Sequence, residues 1–239
     1  MCSSDLRAPR LLLVLESLGR EEEARRALQE AARDKPGDHA LGLRAALDLH
    51  AAEDWAGAAA LFDRVSPHSR EDPEVRARYA HALFMAGRRS DALGQSRAAY
   101  GHKPRGVPAL VHGIVALDAG DLASAGDALD HAAQSLPDPQ RAQAEGMLAS
   151  ALFWRGETAR ALELLKGLDA RGALEGDLFT LLAVAAALHG DEPLARASLE
   201  RAPDLASPSA RLAAAGVELA LGRPEAALGA LEPLATVPD

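Results

Sequence analysis

The sequence predicts an all-α fold made of repeated antiparallel helix pairs, and three observations predict it. A turn position recurs at Gly19, Glu53, Gly87, Gly120, Gly156, Gly190 and Gly222, at spacings of 34, 34, 33, 36, 34 and 32 residues within a chain of 239. Five residues after each turn stands an alanine without exception: Ala24, Ala58, Ala92, Ala125, Ala161, Ala195 and Ala227. Pro36, Pro104 and Pro137 close three of the units at one shared position. Self-similarity at such a period marks an array that grows by adding units, not by enlarging one core.

One unit shows why. Apolar residues return every three or four positions from Val107 to Asp118 and again from Leu122 to Ser135, around Gly120-Asp121, which predicts two short helices joined by a tight turn. Helices of about a dozen residues are marginal in water without tertiary packing, so the pair demands neighbours. Where two helices cross closely only a small side chain fits, hence the recurrent alanine. Four positions on, Leu28, Phe62, Ser96, Leu129, Leu165, Leu199 or Leu231 fills the gap between hairpins, and three beyond that come Ala31, Val65, Ala99, Ala132, Leu168, Ala202 or Leu234. Proline then ends the second helix, because it cannot donate a backbone hydrogen bond.

This order of small, large and small residues and then proline, at a period near 34, resembles the tetratricopeptide repeat over nearly the whole chain. The first-helix signature of that family is thinner. Leu148 and Leu182 keep its leucine and Gly113 its glycine, whereas Ala46, Ala80, Ala149, Ala183 and Ala215 replace the glycine and Leu15, Leu49, Leu83 and Leu152 stand for its tyrosine. The resemblance implies a right-handed superhelical solenoid, first helices lining a concave face and second helices the convex one. It also implies a protein-binding or peptide-binding scaffold or adaptor that is not an enzyme. Two rival expectations are the substrate-recognition arm of a larger enzyme and a bacterial envelope assembly or secretion component.

Seven repeats are expected, at about 7–36, 38–66, 72–104, 106–137, 138–171, 175–206 and 207–239, forming one array. The first opens on Leu11-Leu12-Leu13-Val14-Leu15, too short to span a membrane. Its second helix, Glu21 to Arg33, offers Glu21/Arg25 and Glu22/Arg26 pairs at i,i+4 on a solvated face. Asp38 is the expected N-cap of repeat two, and Asp72-Pro73, Asp138-Pro139 and Ser207-Pro208 set an N-cap before a proline at three further helix starts. The loosest connections are 101–108, with two glycines and two prolines, and 168–177. Met1-Cys2-Ser3-Ser4-Asp5-Leu6 has no helical logic and is set aside as a translated adapter scar. Residues 7–239 are then expected to be a bacterial fragment open at both ends. A cytoplasmic location is preferred, with the periplasm left open because a native leader would lie upstream of the scar.

Chemistry is sparse. Metalloprotease, phosphate-loop and paired-cysteine motifs are absent, so no catalytic residue, metal or cofactor is expected. A net charge of −9 argues against a nucleic-acid partner. With no asparagine, and lysine only at Lys35, Lys103 and Lys166, the chain lacks the lysine and asparagine clamps by which relatives of this family hold acidic tails. His50 and His81 are expected to face the groove in adjacent repeats; without a third ligand they are read as ordinary histidines. Positions late in the first helices collect half the phenylalanines and one of two tryptophans. The expected partner-binding residues are therefore His50, His81, Phe84, Met85, Leu117, Asp118, Phe153, Trp154 and Leu188. Phe84, Met85, Phe153 and Trp154 would wall an apolar trough and Asp118 would floor it, suiting a peptide with a basic residue near its middle.

Overall fold

The computed structural model describes residues 14, 15, 17–65, 71–204 and 206–235. Among them are thirteen helices and no strand. The proposed scar and the Leu11-Leu12-Leu13 run lie outside the described residues. The chain divides into two compact units, Met1–Ala119 and Gly120–Asp239.

The first unit holds α1 (Glu21–Asp34), α2 (His39–Ala51), α3 (Trp55–Arg64), α4 (Pro73–Met85), α5 (Arg89–His102) and α6 (Gly106–Asp118). Successive helices pack as hairpins, α2 on α3 and α4 on α5, and α4 also packs on α6. Its core is a thin layer of alanine and large side chains: Ala46, Ala58, Ala77, Ala80 and Ala92 with Phe62 and Leu83. Fully burying a side chain such as Phe62 contributes roughly 1.5–3 kcal/mol, which the short helices cannot find alone. In the second unit lie α7 (Leu122–Ser135), α8 (Gln140–Trp154), α9 (Thr158–Ala170), α10 (Leu178–Leu188), α11 (Glu192–Glu200), α12 (Pro208–Ala220) and α13 (Pro224–Ala235). Leu165, Leu168, Leu182 and Val217 fill its core.

All seven predicted turn positions have left-handed backbone, with φ between 61° and 85°. Six are glycine, which adopts this conformation without a Cβ penalty. Glu53, at φ 61°, is the only non-glycine there among the described residues. All seven register alanines are buried, five of them completely. Asp38 accepts from the Leu41 amide, Asp72 from those of Glu74 and Val75, and the Ser207 hydroxyl from that of Ala210, as the capping pattern requires.

Four local expectations are corrected. Asp138 does not cap α8; Pro139 holds that position, and Asp138 instead accepts from Arg141 Nη2 at 2.5 Å. The loose 101–108 connection shrinks to Lys103–Arg105, because α5 runs through His102 and α6 begins at Gly106. Arg25 does not bond its expected partner Glu21 but reaches Glu22 at 3.3 Å and Asp48 on α2 at 3.2 Å, fastening two helices where an i,i+4 pair would fasten one. In the third repeat the large-residue position is Ser96, fully buried, and the missing volume is taken by His112 of α6. Its Nδ1 lies 3.2 Å from Ser96 Oγ and its ring stacks on Tyr100 with centroids 5.0 Å apart.

Candidate functional site

In repeats three to six the late first-helix positions split into two rows one residue apart. Helical geometry turns successive side chains by about 100°, so one row faces the core and its neighbour faces water. In the first unit Phe84 packs against the core while Met85, next to it, is 48% exposed. In the second unit Phe153 joins the core cluster, and Trp154 is 69% exposed with its ring edge-on to Phe153, centroids 5.5 Å apart. Leu188 repeats Trp154 on α10 and is 50% exposed, whereas Ala187 beside it is buried. Leu117 is half-buried.

Asp118 does not present a free carboxylate. Arg89, at the head of α5, forms an ion pair with it, and the same guanidinium lies over the Phe84 ring, 5.0 Å from its centroid. The expected acidic floor is thus neutralised from within its own unit. A cation stacked on an aromatic face also takes up the ring surface that a ligand would use.

His50 of α2 and His81 of α4 do meet. His50 Nε2 and His81 Nδ1 are 3.1 Å apart, and Trp55, opening α3, sets its indole edge-on to both rings at 5.2 and 5.0 Å. Burial, then the neighbouring His81 and Arg78, hold His50 down at about 4; burial lowers His81 as well. Both rings are therefore neutral at pH 7, and one N–H···N bond joins the two helices. Among the described residues no group of three or more histidine, cysteine, aspartate or glutamate side chains could hold a metal. No helix among them is long and apolar enough to cross a membrane.

A cavity in the second unit was not expected. It is an open groove of about 840 Å³ along the amino-terminal half of α8, lined there by Gln140, Gln143, Met147 and Ser150 and opposite by Ala173, Glu175 and Leu178. These α8 residues are three or four apart, hence on one helix face. The opposite wall is the α9–α10 connection, residues 171–177. Leu174 is buried at its middle, Arg171 ion-pairs with Glu145 of α8, and Gly172 and Gly176 take φ of 66° and 54°. Gly146 lets the wall approach: a Cβ there would lie 2.7 Å from Leu178 Cδ1. The signal in the sequence that could have pointed to this wall is the pair of glycines, Gly172 and Gly176, within the loose 168–177 connection.

Charge is also divided between the units. The second holds 18 of the chain's 35 acidic residues but nine of its 26 basic ones, so the whole formal charge of −9 falls on it.

No family model and no curated protein matches this sequence. Solved structures do. A tetratricopeptide repeat protein from Parabacteroides merdae is similar at 13% identity and TM-score 0.63, over 98% of this chain and 93% of that one. Pseudomonas aeruginosa PilF is similar at 17% identity and TM-score 0.62, over 81% and 88%. PilW, described as a widely conserved type IV pilus biogenesis factor, is similar at 16% identity and TM-score 0.63, over 88% and 98%.

Proposed function

We infer that this chain, whose fold is that of the tetratricopeptide-repeat proteins, is a protein-binding or peptide-binding scaffold and not an enzyme, and that it recognises its partner through the exposed row late in its first helices. The observation that carries this reading is Trp154. A tryptophan left 69% in water, with Leu188 at the same register one repeat on at 50%, forfeits burial that the fold could have used. Tryptophan is also the residue type most enriched among binding hot spots. Met85 supplies the equivalent apolar surface in the first unit. Phe84, Phe153 and Leu117 support this row from below, while His50 and His81 hold α2 to α4 beneath the neighbouring surface. Asp118 acts through its pair with Arg89 and not as a bare acid.

The test is a selection from a random displayed peptide library on the full chain, followed by Trp154→Ala. The reading expects selected peptides to lose about tenfold or more in affinity, the size of a modest hot spot, with helical circular dichroism and Tm unchanged. Selected peptides that bind Trp154→Ala as well as the parent would return the row to ordinary surface. A second reading, a component of bacterial envelope assembly or secretion, is favoured by the likeness to PilF and PilW. Fractionating cells that make the native full-length protein tests it, and an exclusively cytosolic pool would count against it.

A further inference from the structure

We propose that the groove between the amino-terminal half of α8 and the α9–α10 connection is a docking site for a short cationic peptide segment carrying an apolar side chain. The proposal rests on the binding reading above for its setting, but on different residues.

The outer wall of the groove is the α9–α10 connection, and Leu174 and the Arg171–Glu145 pair hold that wall in place. A pinned wall loses little entropy when a ligand arrives, which favours binding. At about 840 Å³ the groove falls within the ordinary range of ligand sites.

Each side offers a distinct contact. Ala142, Met147, Ala173 and Leu178 make an apolar slot, with methionine able to reshape around an aliphatic or aromatic side chain. Gln140 and Gln143 stand one turn apart with exposed amides that make no hydrogen bond among the described residues. Each amide can donate to a peptide carbonyl and accept from a peptide N–H.

The charge selects the sign of the occupant. Glu175 lines the groove and Asp177 stands at the head of α10; both are exposed, and neither is ion-paired among the described residues. The nearby cations are already engaged, Arg171 by Glu145 and Arg141 by Asp138. The acids therefore lack internal counter-charge on a unit that bears the entire excess of −9, and a lysine or arginine of the segment supplies it.

The experiment titrates the full chain at low salt into a fluorescein-labelled peptide amide of sequence Gly-Lys-Leu-Lys-Gly, and into the same peptide with glutamate for lysine, following anisotropy. Saturable binding of the cationic peptide is expected, weakened about five- to tenfold by Glu175→Gln combined with Asp177→Asn. Removing the same two charges elsewhere, by Glu225→Gln with Glu232→Gln, is expected to leave it nearly unchanged. Equal weakening by the two double variants, equal binding of the charge-reversed peptide, or no saturable binding would overturn the site. The cationic peptide is also expected to bind Trp154→Ala normally. If peptides from the library selection depend on Trp154 while this peptide fails to bind, the scaffold reading stands and the groove proposal falls.

Discussion

Replacing Ala161 by leucine tests the repeat register most directly. Ala161 lies five residues after the Gly156 turn, in α9, which packs against α8 within the second unit, and it is wholly buried. Leucine adds three carbons where no space is left, and overpacking of this kind typically costs about 1–3 kcal/mol. The second unit spans about 120 residues, and for domains of that size each kcal/mol lowers Tm by about 3–6 °C. The expected loss is therefore about 3–18 °C in a thermal melt followed by helical circular dichroism. Ala159→Leu, two residues earlier on the exposed side of the same helix, is the matched control and should shift Tm by no more than about 1–2 °C. Equal melting of the two variants would refute the assignment of the alanine column to close helix crossings. A broadened or biphasic melt of Ala161→Leu would be compatible with it, since repeat arrays distribute stability along the chain and need not unfold as one step.

Acid should destabilise the first unit through the histidine pair. His50 titrates near 6.5 when unfolded and at about 4 when folded, so the unfolded chain takes up the proton first; stability is complete above pH 6.5 and falls as pH drops towards 4, by about 1–2 kcal/mol once half-exposure is discounted. His81 adds in the same direction, and a His50→Gln, His81→Gln variant should show a flatter stability profile over pH 4–6.5 in urea melts; an unchanged slope would dissolve the pair as a titrating unit. Glu53→Gly should raise stability by roughly 0.5–1 kcal/mol in the same assay, because glycine relieves the left-handed strain at φ 61° while giving back part of the gain as unfolded-state entropy. A loss instead of a gain would mean that the Glu53 side chain makes a contact worth more than the strain.

Most of the fold was legible because the repeat asks the same question seven times. A single glycine or a single small residue is weak evidence, but a turn and an alanine locked five residues apart in all seven units admit few structures. The prediction of α7 from Leu122 to Ser135 accordingly matches both of its ends. Even Glu53, the wrong residue type for its backbone, was located by register and took the left-handed conformation that the array imposed. Legibility failed wherever the deciding term was not periodic. Phe84 and Met85 differ by one position, and only the helix rotation sends the first to the core and the second to water. The fate of Asp118 was settled by Arg89, which lies on another helix and belongs to no motif. Ser96 breaks the large-residue column, and its repair by His112 depends on a side chain 16 residues away. The α8 groove was missed for a related reason. One of its walls is a connection between helices, residues 171–177, and a search for helical regularity passes over it.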